Sequence, residues 1–387
     1  MNCRVCKTNG IEKKITYKTP INHNYLKNKS ADFEIHNFEI YFCNRCGFIQ
    51  SPHYIKPKHE LYENYITLSS WKNQPQAQLI IDRMNDFLGL ERDSKIADVG
   101  ANDGSFLDLL GKAGYNNTIG IEPTSDASKI AKGNSHNIIQ DFLTTDLVGE
   151  LQLKKQFDVV ISRHVLEHIL ELNDFLTACR SMLTDDGILI LELPDHGEAI
   201  KYNDYSFWEE HVNYFTENTL NTALKKNGLE IFASEKTLFT GAAQIHFIKK
   251  SASETIFPPN EEIKKSKTYL ENFGQFKSRV HEYMTSIKSK KEIIGFGAGC
   301  RLAGLVNIFE LQPYITCFVD DNSNKVGKYL PMSQLEIQPT NVLIGKDYHV
   351  VMGVNAEVEG KLAKKFKIKD YSSFLPPSAN LPSFWMQ

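Results

Sequence analysis

Four of the seven cysteines stand in two Cys-x-x-Cys pairs, Cys3/Cys6 and Cys43/Cys46, while Cys179, Cys300 and Cys317 are scattered. Four thiolates match tetrahedral zinc in number and in softness. They leave no open coordination position, so a structural metal is expected. The 36 residues between Cys6 and Cys43 exceed a usual zinc-ribbon insert, but loop length adds little to closure free energy. The competing reading is a redox pair. A thioredoxin-like motif belongs on a βα turn, where Cys3 does not stand. His23, His36 and His53 lie close in sequence and read as surface residues rather than ligands.

A second group of residues suits a nucleotide-like ligand. Asp98-Val99-Gly100-Ala101-Asn102-Asp103-Gly104 ends a strand and opens a helical stretch from Ser105. Gly100 and Gly104 let the backbone approach a ligand, and the helix that follows presents free N–H groups. An ordinary tight turn or a dinucleotide site would look the same at this point. Glu122, 18 residues after Gly104, ends the next strand, where a carboxylate can accept from both hydroxyls of a ribose. Asp141 and Phe142 follow a third strand-like stretch and offer an adenine a carboxylate and a stacking ring. His164 and His168, four apart with Glu167 between them, mimic half a metal site. Further on, Phe207-Trp208-Glu209-Glu210-His211-Val212-Asn213-Tyr214-Phe215 packs aromatic and ionisable groups together. Imidazole titrates near working pH, so His211 is a natural general base, and Glu210 can orient its ring or relay the proton.

These residues need a scaffold, and hydrophobic periodicity supplies one. Residues 1 to about 60 are poor in apolar side chains apart from the alternating stretch Phe38 to Phe42, so a metal must replace missing core. From about 75 to 250, helix and strand patterns alternate: a helix over Ala77 to Leu88, then strands Lys95 to Val99, Thr118 to Glu122, Phe157 to Ser162 and Gly187 to Leu193. That alternation describes a doubly wound sheet. Pro258-Pro259 breaks the chain, and Glu261 to Lys288 has the spacing of one long amphipathic helix. A second alternation follows, with strands at Ile293 to Phe296, Ile315 to Asp320 and His349 to Met352. The expected division is 1–70, 71–250 and 251–387.

Composition excludes other classes. A net charge of −3 over 387 residues gives no basic field for nucleic acid or anionic membrane. No apolar run approaches the ~20 residues that cross a bilayer, and the N-terminal stretch has no secretory apolar region. A cytoplasmic location is expected, as a monomer or a homodimer.

The succession from Asp98 to His168 resembles the motifs of class I S-adenosylmethionine methyltransferases. The whole chain resembles the sugar C-methyltransferases, which combine a four-cysteine zinc domain, a methyltransferase core with a Glu-His-x-x-Tyr-Phe motif, and a C-terminal α/β domain. Matching residues are the four cysteines, Tyr62, Tyr65, Ser69 and Ser70, the run Glu210 to Phe215, Gly295 to Gly299, Val319 to Asn322 and Gly327 to Pro331. The resemblance implies an α/β fold: a class I Rossmann-like sheet, a small zinc module and a second Rossmann-like α/β domain. It implies S-adenosylmethionine on Asp98, Gly100, Asn102, Gly104, Glu122, Asp141, Phe142 and His164. A nucleotide-linked keto-deoxysugar would meet Tyr62, Tyr65, Trp208, Tyr214, Gly297 and Arg301. In that family a tyrosine stands where this chain has Trp208, whose N–H can donate but cannot ionise, and a histidine often stands at Glu209. Methylation of a sugar oxygen or nitrogen is the neighbouring expectation. A zinc-containing RNA-binding methyltransferase is the more distant one.

Overall fold

The protein is described from a computed structural model, which covers residues 1–56, 75–89, 91–239 and 241–386. Three sheets organise it. The first contains β1 (Glu12–Thr19), β2 (His36–Phe42) and β3 (Ile49–Gln50) in antiparallel array. β2 alternates as its sequence does, with Phe38, Ile40 and Phe42 buried on one face.

The central sheet carries β4 (Ile96–Val99), β5 (Thr118–Ile121), β6 (Ile138–Ile139), β7 (Phe157–Arg163) and β8 (Leu183–Pro194), all parallel. The short strand β9 (Asn213–Tyr214) passes this sheet by. It pairs with β3 and becomes the fourth strand of the N-terminal sheet, Ile49 opposite Tyr214 and Gln50 opposite Asn213. The N-terminal sheet is therefore completed by a strand from beyond residue 200, which the division at residue 70 does not anticipate. β10 (Leu229–Leu238) and β11 (Ala242–Lys250) then add an antiparallel hairpin to β8. The order β10-β11-β8-β7-β4-β5-β6 reverses direction between β4 and β7. Such a reversal leaves a crevice at the carboxyl ends of the strands, the usual ligand position in α/β sheets.

The span expected as one long helix is two, Asn260–Glu271 and Phe273–Lys288, divided at Asn272, whose φ of −77° and ψ of −6° unwind the turn. The break lets aromatic rings from both halves surround buried Tyr205. Tyr269 stacks on it at 4.5 Å, while Phe273 and Phe276 lie at 5.2 and 5.1 Å. The C-terminal sheet follows, with β12 (Glu292–Phe296), β13 (Ile315–Asp320), β14 (Ile337–Pro339), β15 (Tyr348–Met352) and β16 (Tyr371–Ser373). It is wholly parallel in the order β14-β13-β12-β15-β16 and also reverses at its centre. No helix among the described residues is long and apolar enough to cross a membrane.

Candidate functional site

At the reversal point of the central sheet, the turn after β4 lines a largely apolar pocket closed by Phe142 on one side and Val165 on the other. Gly100 has φ +82°, and a Cβ there would stand 2.3 Å from Val165 Cγ2. Only glycine satisfies both the left-handed backbone and that contact. Gly104, also left-handed, starts the helix Ser105–Lys112 and packs on His136. Glu122 is buried and grips the turn. Its Oε2 accepts from Asn102 N–H at 2.8 Å, and its Oε1 accepts from Thr124 N–H and Oγ1–H at 2.8 and 2.6 Å. A carboxylate has about four acceptor sites, so one remains for a ligand hydroxyl.

The donor set fits S-adenosylmethionine. Asn102 Oδ1 is buried in the pocket without a protein partner, a position that asks for a ligand donor. Asp98, 2% exposed, is pushed up to about 7 by burial and by Glu122, with Arg163 working the other way. A carboxyl held so high has room for an ammonium partner. Asp141 and Phe142 line the same pocket; Asp141 is exposed and its Oδ1 caps Phe142 N–H at 2.7 Å.

His164 does not share a helical face with His168, because residues 166–168 form a single 3-10 turn and His164 itself has φ +53°. Its ring lies between two buried carboxylates, with Nδ1 3.3 Å from Glu167 and Nε2 3.5 Å from Glu192. Burial opposes its charge, but the two carboxylates prevail and raise it to about 9. Glu192 also accepts from Arg163 Nε at 2.7 Å, and the Arg163 guanidinium lies 4.5 Å over the Phe106 ring. Two cations and two anions thus balance beneath the pocket.

A second cavity opens on the other side of His164 and His168, which line both. Trp208, His211, Tyr214 and His196 supply its wall from the central domain, and Arg301 and Pro376 supply it from the C-terminal domain. Ring nitrogens of His168 and His211 and a Glu167 carboxylate oxygen lie within 4.8 Å of one another. Glu167 Oε2 is buried there without a partner. Burial and the neighbouring His168 push His211 down to about 3, so it stands as a neutral imidazole. Its ring meets His168 edge-on at 4.7 Å and Trp208 at 5.0 Å.

Several expected roles move. Glu210 is fully buried, but its carboxylate points to His23 Nδ1 at 3.4 Å and does not line the cavity; Glu167 is the acid beside His211. Tyr214 lends its ring, while its hydroxyl donates to Trp208 and His211 carbonyls at 3.2 Å each. Arg301 reaches the cavity and is held by Asp204 at 2.9 Å. Gly297 does not line it, and its N–H is already bonded to Val319 O at 2.8 Å. Tyr62 and Tyr65 lie outside the described residues.

Other residues come into view only in three dimensions. His196 is buried and pushed down to about 4 by burial, and its Nε2 lacks a partner. Trp208 Nε1 is likewise buried and unpartnered. An unmade hydrogen bond at such an atom costs about 1–3 kcal/mol, which a bound acceptor molecule would recover. A lone histidine carries no such signal in sequence.

The four cysteines meet as their spacing requires. Cys3 and Cys46 sulfurs are 3.6 Å apart, Cys6 and Cys43 sulfurs 3.5 Å, and all four lie within 4.8 Å. Zn–S bonds of about 2.3 Å give tetrahedral edges of about 3.8 Å, so the set fits zinc. The two pairs form the same turn, with Lys7 N–H on Cys3 O at 3.0 Å and Gly47 N–H on Cys43 O at 2.8 Å.

Comparison with known proteins shows likeness to methyltransferases along the sequence. Residues 70–234 match the family profile described as a methyltransferase domain, and residues 253–367 match the C-methyltransferase C-terminal domain. The chain is 22% identical to C-methyltransferase NovU from Streptomyces niveus over 91% of its own length and 89% of that protein. It is 29% identical to the ubiquinone biosynthesis O-methyltransferase of Bradyrhizobium diazoefficiens over 25% of its length and 38% of that one. Among solved structures, magnesium protoporphyrin IX methyltransferase from Synechocystis PCC 6803 with bound SAH aligns at a TM-score of 0.38 and 17% identity, over 49% of this chain and 88% of that one.

Proposed function

We infer that this chain, an S-adenosylmethionine-dependent methyltransferase with a C-methyltransferase C-terminal domain, methylates a carbon of a nucleotide-linked keto-deoxysugar. One observation carries the reading. His211 is a neutral imidazole with a Glu167 carboxylate oxygen within 4.8 Å, in a cavity that shares the wall of His164 and His168 with the cofactor pocket.

A ketone acidifies the hydrogen on the adjacent carbon. Neutral His211 takes that proton, and Glu167, within 4.8 Å, receives the imidazolium that forms. The buried Trp208 N–H supports the oxygen on which negative charge develops. It replaces a hydroxyl that could ionise, so this chain holds the oxyanion without a second titrating group. When bound, S-adenosylmethionine supplies an electrophilic methyl for the carbon. Arg301, oriented by Asp204, faces the same cavity as a cation suited to a diphosphate. We assign zinc to the four thiols, with a structural role, and place the enzyme in the reducing cytoplasm, where such thiols persist.

Incubation with methyl-labelled cofactor and a panel of nucleotide-linked keto-sugars tests the reading. Label is expected on carbon, and His211→Gln should lower turnover by about 100-fold or more. At saturating cofactor, wild-type kcat should hold from pH 8 to well below the ordinary imidazole range, since His211 stays neutral down to about 3. Label on oxygen or nitrogen, or full activity in the variant, refutes it.

A further inference from the structure

Arg4 lies between two of the clustered cysteines, yet its side chain ends on the segment that follows His211, a residue of the cavity wall. Arg4 is 8% exposed. Its Nη1 donates to Val212 O at 2.8 Å and to Asn213 Oδ1 at 3.3 Å. Its Nη2 donates to Ser51 O at 2.6 Å and to Pro52 O at 2.9 Å. One planar fork therefore joins the first cysteine turn, the chain leaving the second, and the two residues that follow His211. Only a guanidinium presents donors in that spread.

The contacts continue beyond it. Val212 N–H donates to Glu167 O at 2.8 Å, and Asn213 Nδ2 donates to Leu166 O and Ile169 O at 3.0 and 2.6 Å. The His168 ring nitrogen Nδ1 lies 3.1 Å from Glu210 O, and Tyr54 O–H donates to His168 O at 2.5 Å. These hydrogen bonds between the segment carrying His211 and the loop carrying Glu167 and His168 thus lie within one or two bonds of Arg4 or of the N-terminal module. Charge points the same way. Among the described residues Arg4 forms no ion pair with a carboxylate, and a buried cation without a counter-charge is costly. Four thiolates around one divalent zinc carry a net charge of about −2, supplied by the neighbours of Arg4 in sequence.

We propose that Arg4 is a positioning residue that makes the acceptor wall dependent on the metal: with zinc bound, its fork fixes Val212 and Asn213 and so sets His211 against Glu167 and His168. None of these bonds reaches the turn from Asp98 to Gly104, so the cofactor pocket feels the clamp only through the loop from His164 to Ile169 that lines it. The proposal rests on the reading of His211 as the acceptor-side base.

Hydrogen–deuterium exchange on the full zinc-loaded chain tests it. In Arg4→Met, residues 211–215 should exchange about 10- to 100-fold faster. Bound zinc should be unchanged, S-adenosylhomocysteine affinity should fall by no more than about tenfold, and the strands from 96 to 122 should keep their protection. Arg4→Lys, which keeps the charge without the fork, should fall between Arg4→Met and wild type. Removing zinc from the wild type by chelation should expose the same segment first, and this arm decides if Arg4→Met does not fold. With an acceptor that turns over, Arg4→Lys should lower kcat while KM for the cofactor holds. Unchanged exchange at 211–215 in the variants and the chelated protein overturns the proposal. So does equal loosening of the central sheet, which would reduce the cluster to a fold staple. His211→Gln separates the two claims: full activity there sinks the base assignment and leaves the Arg4 clamp to the exchange data.

Discussion

Two βα turns in this molecule are built alike, yet the first lines a pocket while neighbouring chain packs over the second. After β4, Gly100 N–H donates to Ile121 O at 2.8 Å and Asn102 N–H to Glu122 Oε2 at 2.8 Å. After β12, Gly297 N–H donates to Val319 O at 2.8 Å and Ala298 N–H to Asp320 Oδ2 at 2.9 Å. In each, a left-handed glycine begins the turn and an acid at the end of the adjacent strand grips it. The surroundings differ. Asp320 also takes Asn322 N–H and Lys325 Nζ, so each acid accepts three hydrogen bonds, but one of those on Asp320 comes from a cation and all of those on Glu122 come from neutral groups. Tyr25 from the N-terminal module donates its hydroxyl to Ala298 O at 2.5 Å, with Lys325 5.7 Å from its ring centre. Two residues before the turn glycine, the first site has buried Asp98. The second has Gly295, where a Cβ would stand 2.7 Å from the Phe318 ring. The backbone pattern is a scaffold shared by both, and what distinguishes them is how far neighbouring chain covers the turn.

The sharpest way to break this contrast is a methyl group on each turn. Gly100→Ala meets Val165 at 2.3 Å in a left-handed backbone, and Gly297→Ala meets Val354 at 2.8 Å in the same conformation. Each backbone penalty is about 1–2 kcal/mol before any clash. Calorimetric titration with S-adenosylhomocysteine should show affinity lost by about 100-fold or more in Gly100→Ala, from backbone strain and clash together. Gly297→Ala should lower Tm and leave that affinity as it was. Equal losses of affinity would mean that the second turn contributes to cofactor binding after all.

The two turns also differ in what a sequence can reveal. The cofactor turn is legible because its parts are local: the glycines lie within five residues and Glu122 closes the next strand, so spacing alone brings them together. The acceptor wall is assembled from distant elements. His196 begins the helix after β8, Glu167 sits in a 3-10 turn after β7, and Arg4 reaches across more than 200 residues to Val212. No periodicity records such meetings. Glu210 shows the cost of reading neighbours in sequence as neighbours in space, since successive residues of the loop point to opposite sides and Glu210 faces His23. The single helix expected over Glu261 to Lys288 failed for a similar reason. Its apolar spacing continues through Asn272, while the break serves the packing of Tyr205 from another segment.

A smaller effect distinguishes the turns by pH. An ionised Asp98 would attract the ammonium of S-adenosylmethionine, but burial holds its pKa at about 7. Below that pH the carboxyl must first lose its proton, so affinity should fall about tenfold per unit as the solution is acidified, and level off above about 7. Asp98→Asn should bind weakly and flatten the profile. A steep dependence surviving in Asp98→Asn would assign the titration to another group.

The smallest change tests what closes the second turn. Tyr25→Phe removes one hydroxyl donor to Ala298 O and keeps the ring beneath Lys325. The loss should be about 1 kcal/mol of stability, read as a lower Tm of a few degrees at most. Cofactor affinity should not change, because Glu122 and Asp98 lie on the other sheet. The informative result is binding of a free nucleoside diphosphate. If Tyr25 alone closed the turn, Tyr25→Phe would gain measurable affinity there. No gain is expected: the ring remains, Asp320 still holds Lys325, and Val354 still packs on Gly297. The covering of the second turn is thus distributed over three segments, which is why no single side chain in the sequence announces it.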